Sequence, residues 1–324
     1  MGKLASENSI LERIERAFSR SKSGLRLGLG DDAALWEPAP GFATILTCDW
    51  FLEGTHFWRA KHSPDAVGWK CLARATSDIA AMGGIPRTFL LSLALPASHT
   101  GKWLDEFLGG LRRASGFLGC QLAGGDTTRN EKILINISVV GEVRKGGAIL
   151  RSGARPGDIL YVSGTLGEAQ LGLQQLRRRP SSGRLPTSAL KRHLYPEPRL
   201  KLGQWLSSQD LATAMMDISD GLSSDLPRLC AASRVGASVL ASSLPKPRNT
   251  TSNALELALN GGDDYELLFT VARSKSKAIP SRFGKARLSA IGEITKTQNL
   301  ILLDDGHERS LSAAGWDAFK ISRR

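Results

Sequence analysis

Paired cysteines are missing from this 324-residue chain. Its four, Cys48, Cys71, Cys120 and Cys230, are widely spaced and never form C-x-x-C, which removes the zinc ribbon and the thioredoxin motif. Each stands among apolar or small residues, so four buried free thiols are expected. Long apolar runs are missing too. The longest, FLLSLALP at 89–96, falls far short of the ~20 residues of a membrane helix and reads as a buried strand; no membrane partner is expected. The first residues carry Lys3, Glu7, Glu12 and Arg13 without an apolar stretch, so no secretory leader is expected and the cytoplasm is the default. Aromatics make up only 6% and are not interleaved with the basic residues, as they are in single-strand nucleic-acid binders. The phosphate loop G-x-x-x-x-G-K-[ST] is absent, as are H-R-D and D-F-G, which excludes P-loop and protein kinases.

What remains is ordinary in bulk: 41% hydrophobic and 23% charged residues, typical of a globular protein with length for one large or two ordinary domains. The net charge of +12 is dispersed; its densest groups are Arg177–Arg179 and Arg323–Arg324. Solubility and attraction for small anions account for it at least as well as a nucleic-acid partner, which steeply salt-dependent duplex affinity without ATP turnover would favour.

Periodicity predicts helices over 6–19, 64–82, 101–117, 166–179, 197–207 and 221–233. Strands are expected at 42–48, ending at Asp49, and at 88–95, 133–143, 158–163, 236–241, 265–271, 288–293 and 299–303. The Gly- and Arg-rich stretch at 144–157 suggests a boundary between domains 1–145 and 146–324, and PSSGRLPT at 180–187 reads as a mobile loop. Helices mixed with strands in both halves imply two α/β or α+β domains.

The stretch LGLGDDAALW at 27–36 loosely fits the dinucleotide pattern G-x-G-x-x-G/A. Two carboxylates inside a phosphate loop argue against that reading, and SKSGLRLGLG is a poor preceding strand. Other aspartates are placed in the same manner: Asp49, Asp78, Asp126 in GGDTT, Asp217 and Asp220 around ISDG, and Asp263–Asp264 in GGDDYE. They stand beside glycine, serine, threonine and apolar residues rather than among lysines. Any single Gly-Asp is most simply a turn or a cap, but turns explain the whole set poorly. Buried carboxylates are costly unless paired or metal-bound, and several converging would suit Mg²⁺ bridging to substrate phosphates.

Seven motifs occur in order: GLGDDAA (28–34), TCDWFLEGTHF (47–57), SDIAAMGGIPR (77–87), GGDTTR (124–129), RSGARPGD (151–158), MDISDGLSSDL (216–226) and GGDDYEL (261–267). Together they resemble the thiamine-monophosphate kinases of the aminoimidazole-ribonucleotide-synthetase-like superfamily, from about Ser9 to Trp316. The resemblance implies a two-domain fold. In a homodimer, the N-terminal sheets of two subunits would join into a β-barrel. ATP and several Mg²⁺ ions would occupy a cleft lined by both domains. The reaction implied moves the ATP γ-phosphoryl group to thiamine monophosphate, the last step of thiamine diphosphate biosynthesis. The resemblance puts metal ligands on Asp32, Asp49, Asp78, Asp126, Asp217 and Asp220, with Thr47 and Cys48 beside them. It puts ATP contacts on Gly125, Asp126, Arg151 and Ser219, and substrate contacts on His56, Asp263 and Trp316. Asp49, Asp78 and Asp126 would hold the metals nearest the transfer. Two positions depart from the family pattern: Cys48 replaces a frequent threonine, and Asp263 a frequent glutamate.

A phosphate acceptor is already anionic, so no strong general base is required, in keeping with the lack of an obvious His-Asp pair. Sister enzymes with another acceptor remain as rivals, aminoimidazole ribonucleotide synthetase and selenophosphate synthetase among them. The latter usually has a reactive Cys or selenocysteine near its start, whereas no cysteine precedes Cys48 here. A non-catalytic nucleotide sensor is disfavoured by the intact aspartate set. His62, His99, His193 and His307 are expected at the surface, and the tryptophans other than Trp316 in packing roles.

Overall fold

The computed structural model describes residues 7–18, 25–29, 33–178, 187–248, 250 and 253–319. Backbone contacts divide the chain into two compact units at Gly146/Gly147, with Ala80–Gly83 grouped with the second.

The first unit opens with α1 (Glu7–Ala17) and a short antiparallel pair, β1 (Leu25–Leu27) and β2 (Leu35–Trp36). It continues with β3 (Phe42–Leu52), α2 (Pro64–Ala81), β4 (Ile85–Leu95), α3 (Lys102–Leu118), β5 (Gln121–Arg129) and β6 (Leu134–Arg144). Four of these strands form one open sheet in the order β3-β6-β4-β5, antiparallel except for the parallel β4/β5 pair. No closed barrel forms among the described residues. Strand alternation sorts the sheet into two faces. Phe51, Phe89, Leu91, Leu93, Ile135, Ile137 and Val139 are buried on one. On the other, Leu46 is 74% and Trp50 53% exposed, and Leu90 is exposed as well. Helices α2 and α3 cross closely because glycine stands at the crossing. A Cβ on Gly110 would lie 1.9 Å from the Asp65 carbonyl oxygen, and one on Gly68 2.1 Å from that of Phe107.

The second unit comprises β7 (Ile159–Ser163), α4 (Glu168–Arg178), α5 (Ser188–Leu194), α6 (Leu200–Ser208), β8 (Ala212–Ile218), α7 (Leu222–Ser233), β9 (Gly236–Leu240), α8 (Ala254–Asn260), β10 (Glu266–Val271), β11 (Arg282–Phe283), β12 (Ala286–Thr295), β13 (Leu300–Asp304) and β14 (His307–Ser310). Its sheet runs β14-β13-β9-β12-β7-β10-β8, with β11 paired to β12. Both faces are covered, as alternate residues show. Leu160, Val162 and Leu268 pack with Leu222, Leu226 and Leu229 of α7. Their neighbours Tyr161, Leu267 and Phe269 pack with Leu202 and Leu206 of α6.

The structure corrects several expectations. Strand β3 continues through Asp49 to Leu52 rather than ending at the carboxylate. Strands β5 and β8 and helices α5 and α8 lie where no regular element was expected. Cys48 is exposed while Cys71, Cys120 and Cys230 are buried, because Cys48 points to the bare face of β3. His62 and His193 are buried, at 3% and 1% exposure. The Trp58 backbone N–H donates to His62 Nδ1, and His193 Nδ1 lies 3.8 Å from Asp263 Oδ2. Trp50 is a surface residue of this chain rather than a packing one. Of the loop expected at 180–187, residues 180–186 lie outside the described residues, and Thr187 caps α5 by accepting the Leu190 N–H.

Candidate active site

In the first unit, alternation along β3 places Thr47 and Asp49 on the helix-covered face, where α2 meets them. The Thr47 hydroxyl donates to Asp78 Oδ2 at 2.5 Å. Arg74, one turn before Asp78, donates from Nε and Nη2 to both carboxylate oxygens of Asp49 at 2.7 and 3.0 Å. Its guanidinium also lies 5.4 Å from the centre of the Phe51 ring, within range of a cation–π contact. Ser77, beside Asp78, has a buried hydroxyl with no hydrogen-bond partner among the described residues, an uncommon state in a folded protein. Thr47, Asp49 and Asp78 therefore form one polar cluster between β3 and α2.

Asp126 faces the other way. The β4/β5 register pairs it with Ser92, an exposed residue between buried Leu91 and Leu93. Cys48 shares that bare face, where its sulfur meets the Asn136 side-chain amide at 3.0 Å. The backbone before Asp126 needs glycine: Gly125 has φ 157°, and a Cβ there would lie 1.9 Å from the Leu91 carbonyl oxygen. His56 closes the turn after β3. Its Nδ1 accepts the Leu52 N–H at 3.0 Å, and its ring stacks on Phe51. Asp32 lies outside the described residues.

In the second unit, Asp217 is buried near the end of β8, and the chain then turns through Ser219-Asp220-Gly221 into α7. Asp225, in the first turn of α7, shapes that turn by accepting the backbone N–H groups of Ser219, Asp220 and Gly221 on one oxygen, at 3.0, 3.0 and 3.1 Å. Arg228 bridges Asp225 and Asp220 at 2.7 and 2.6 Å. Burial, reinforced by the neighbouring Asp220 charge, pushes the Asp225 carboxyl up to about 6. The GGDDYE segment docks on the same turn through the Asp263 N–H, which donates to the Ser219 carbonyl at 2.8 Å. Asp263 has φ 68° and accepts from the Tyr265 hydroxyl at 2.8 Å. Its neighbour Asp264 caps α4, accepting from the Gly167 and Ala169 N–H groups, and burial drives that carboxyl well above the usual range.

The C-terminal segment completes this second cluster. The Trp316 N–H donates to the Asp220 carbonyl at 2.9 Å. Those of Ala314 and Gly315 donate to the Ser223 and Ser224 hydroxyls at 3.2 and 3.1 Å. Ser219, Asp220, Asp263 and Trp316 are thus gathered at one end of the sheet. Arg151 is not among them. Its carbonyl accepts from Ser233 at the far end of α7, a helix length of roughly 18 Å at ~1.5 Å per residue. Among the described residues no three His, Cys, Asp or Glu side chains form a ready metal cage. Sequence reasoning passed over Arg74, Ser223, Ser224, Asp225 and Arg228. Only Asp225 carries a signal, as an acid in the first turn of a helix after a glycine.

Comparison with known proteins places this architecture. Residues 30–143 match the family AIR synthase related protein, N-terminal domain, and residues 155–305 its C-terminal domain. The thiamine-monophosphate kinase of Bacillus subtilis (strain 168) is 35% identical over 310 residues, covering 92% of this chain and 95% of its own length. The crystal structure of thiamine-monophosphate kinase from Stenotrophomonas maltophilia K279a is 35% identical with a TM-score of 0.83, covering 94% of this chain and 98% of its own. AaThiL complexed with AMPPCP and TMP is 32% identical with a TM-score of 0.76, covering 95% of this chain and 96% of its own. With kinship at this level over nearly its whole length, the chain belongs to the thiamine-monophosphate kinase family.

Proposed function

We propose that this protein transfers the γ-phosphoryl group of ATP directly to thiamine monophosphate, giving thiamine diphosphate and ADP. The observation that carries this reading is the near-full-length kinship with thiamine-monophosphate kinases. No helix among the described residues is long and apolar enough to cross a membrane, and the proposed setting is the cytoplasm, with no nucleic-acid partner.

The chemistry asks for positioning and charge neutralisation rather than for a strong base, because the acceptor oxygen is already anionic. Mg²⁺ ions are the proposed neutralisers. The Thr47–Asp49–Asp78 cluster offers hard oxygen donors of the kind Mg²⁺ takes, and Asp49 already holds a cation in the Arg74 guanidinium. Asp49 and Asp78, on the helix-covered face, and Asp126, on the bare face of the same sheet, are each proposed as ligands of metals near the reaction, with Thr47, Cys48, Asp32, Asp217 and Asp220 as further ligands. Bound there, Mg²⁺ would lower the repulsion between two phosphate groups. Gly125 lets β5 lie close against the Leu91 backbone of β4 just before Asp126, and the Gly125 backbone and the Ser219 hydroxyl are the proposed contacts to ATP. Arg151 supplies a planar, permanently charged fork for a phosphate oxygen. His56, Asp263 and Trp316 would orient thiamine monophosphate, with the exposed Trp316 indole as a face for its cationic ring.

The domain assignment proposed is ATP and Mg²⁺ binding with dimerisation for 1–145, and completion of the active site for 146–324. The bare apolar face of the first unit, with Leu46 and Trp50, supports a homodimer in which two such sheets close on each other.

The test is an ADP-release assay with ATP and Mg²⁺, with and without thiamine monophosphate, and identification of the product. Acceptor-dependent ADP with matching thiamine diphosphate is expected. ATP binding without that product would move the acceptor to a sister reaction. An Asp126→Asn variant should stay folded and lose turnover; an active variant would remove Asp126 from the machinery.

A further inference from the structure

A cavity of about 530 Å³ opens at one end of the second-unit sheet, where β7 runs into Gly164-Thr165 and β12 begins. Six cationic side chains line it: Arg192, Lys246, Arg248, Arg282, Lys285 and Arg287. Among the described residues, no aspartate or glutamate does. Among the described residues, Arg192 is the one of the six with carboxylate partners, 3.8 Å from Glu168 and 4.0 Å from Glu266. Lys246 and Arg282 donate to the backbone carbonyls of Ala241 and Lys285. Among the described residues, Arg248, Lys285 and Arg287 have no ion-pair partner. Such crowding of like charge destabilises a fold through self-repulsion, and an anion relieves it.

The walls are tied in place by backbone hydrogen bonds. The Gly164 N–H donates to the Arg287 carbonyl, and the Leu166 N–H to the Pro245 carbonyl, both at 2.8 Å. A pocket held open this way is suited to a ligand of defined size. Its volume lies in the range of small-molecule sites, ~300–1,000 Å³. Guanidinium forks match phosphate oxygens two at a time. Leu244, Pro245 and Pro247 add an apolar wall on which an organic group can rest.

We propose that this cavity is a second anion site of the protein, taking a small molecule with two or more linked phosphates. The site uses none of the residues proposed for phosphoryl transfer, so it does not depend on that reading.

The test is calorimetric titration of the full chain with pyrophosphate in EDTA and without ATP, then with thiamine diphosphate. Wild type and Asp126→Asn should each bind one pyrophosphate saturably at this site. Arg248→Ala/Lys285→Ala should bind it at least about tenfold more weakly, having lost two charge-assisted contacts. Without ligand the double variant should melt no lower than wild type, since repulsion is relieved, and its kinase kcat should be unchanged. Lys285→Glu, the second variant, changes the cavity charge by the same amount and should weaken binding comparably. Tighter binding of thiamine diphosphate than of pyrophosphate, lost in Arg248→Ala/Lys285→Ala, would support the proposal with an organic diphosphate as the source; equal binding of the two, lost in the same variant, would support it with an inorganic one. No saturable binding to wild type, or equal pyrophosphate affinity in wild type and both variants, overturns it.

Discussion

Arg74, one helical turn before Asp78, grips both carboxylate oxygens of Asp49 on a largely dry face. The guanidinium is a fixed countercharge where a divalent ion is proposed to bind. Arg74→Met removes two charge-assisted hydrogen bonds and the positive charge facing Asp49. In EDTA the variant should lose about 1.5–3 kcal/mol of stability, the usual scale for hydrogen bonds to charged groups. Saturating Mg²⁺ should narrow that gap, because the ion substitutes for the lost cation. Denaturant midpoints of both proteins, with EDTA and with Mg²⁺, make the check. An equal gap in the two conditions would mean that the ion does not substitute for the Arg74 charge at Asp49.

The helices and most strands are legible because their apolar residues keep a period of 3.6 or 2. Strand β5 is not, since QLAGGDTTR has the composition of a turn and is strand only because β4 pairs with it. Strand β8 is similar: ATAMMDI is apolar without alternation, as a strand buried on both faces must be. The site carboxylates are legible as types, because aspartate among glycine and apolar residues is conspicuous. Their grouping is not. Whether a side chain on β3 or β5 points to the helices or to the bare face depends on register, which no local pattern states. The same holds for Arg74, whose sequence neighbours give no hint of Asp49, 25 residues away.

Asp225 makes stability depend on pH in a definite direction. Its folded carboxyl sits at about 6 against an ordinary 3.8, through burial first and the Asp220 charge second. Folding therefore favours the protonated form. The contribution is fully present below about pH 4 and is lost as pH rises through about 6, a total near 3 kcal/mol at ~1.4 kcal/mol per decade. The difference in unfolding free energy, wild type minus Asp225→Asn, should fall across that window in metal-free buffer. Urea titrations from pH 4 to 7 would measure it, and a flat or rising difference would contradict the linkage.

Ser224 holds the C-terminal segment at the site by accepting the Gly315 N–H at 3.1 Å, one residue before Trp316. If Trp316 orients the acceptor, loosening that tether should weaken acceptor binding and leave the chemical step alone. Ser224→Ala should raise the KM for thiamine monophosphate about fivefold, the equivalent of one ~1 kcal/mol hydrogen bond. The kcat should stay within twofold, and Ser224→Thr should restore the KM. A fall in kcat at unchanged KM would place Ser224 in the transfer step instead.

Leu46 and Trp50 stand two strand turns apart on the bare face of β3, at 74% and 53% exposure. Side chains of that size are seldom left in water as a group unless a partner covers them. Across the sheet, Leu90 extends the patch, so the apolar surface spans several strands rather than one edge. A carboxylate at its centre should oppose association far more than folding, because the site is already solvated in the single chain. Leu46→Glu and Trp50→Glu should therefore keep the wild-type circular dichroism spectrum and elute as monomers where wild type elutes as a dimer, with masses read by light scattering. Asp126 and Cys48 share that face, so the monomeric variants should also lose most of their kinase activity. Monomeric variants with full turnover would separate dimerisation from catalysis, and a monomeric wild type would remove the homodimer.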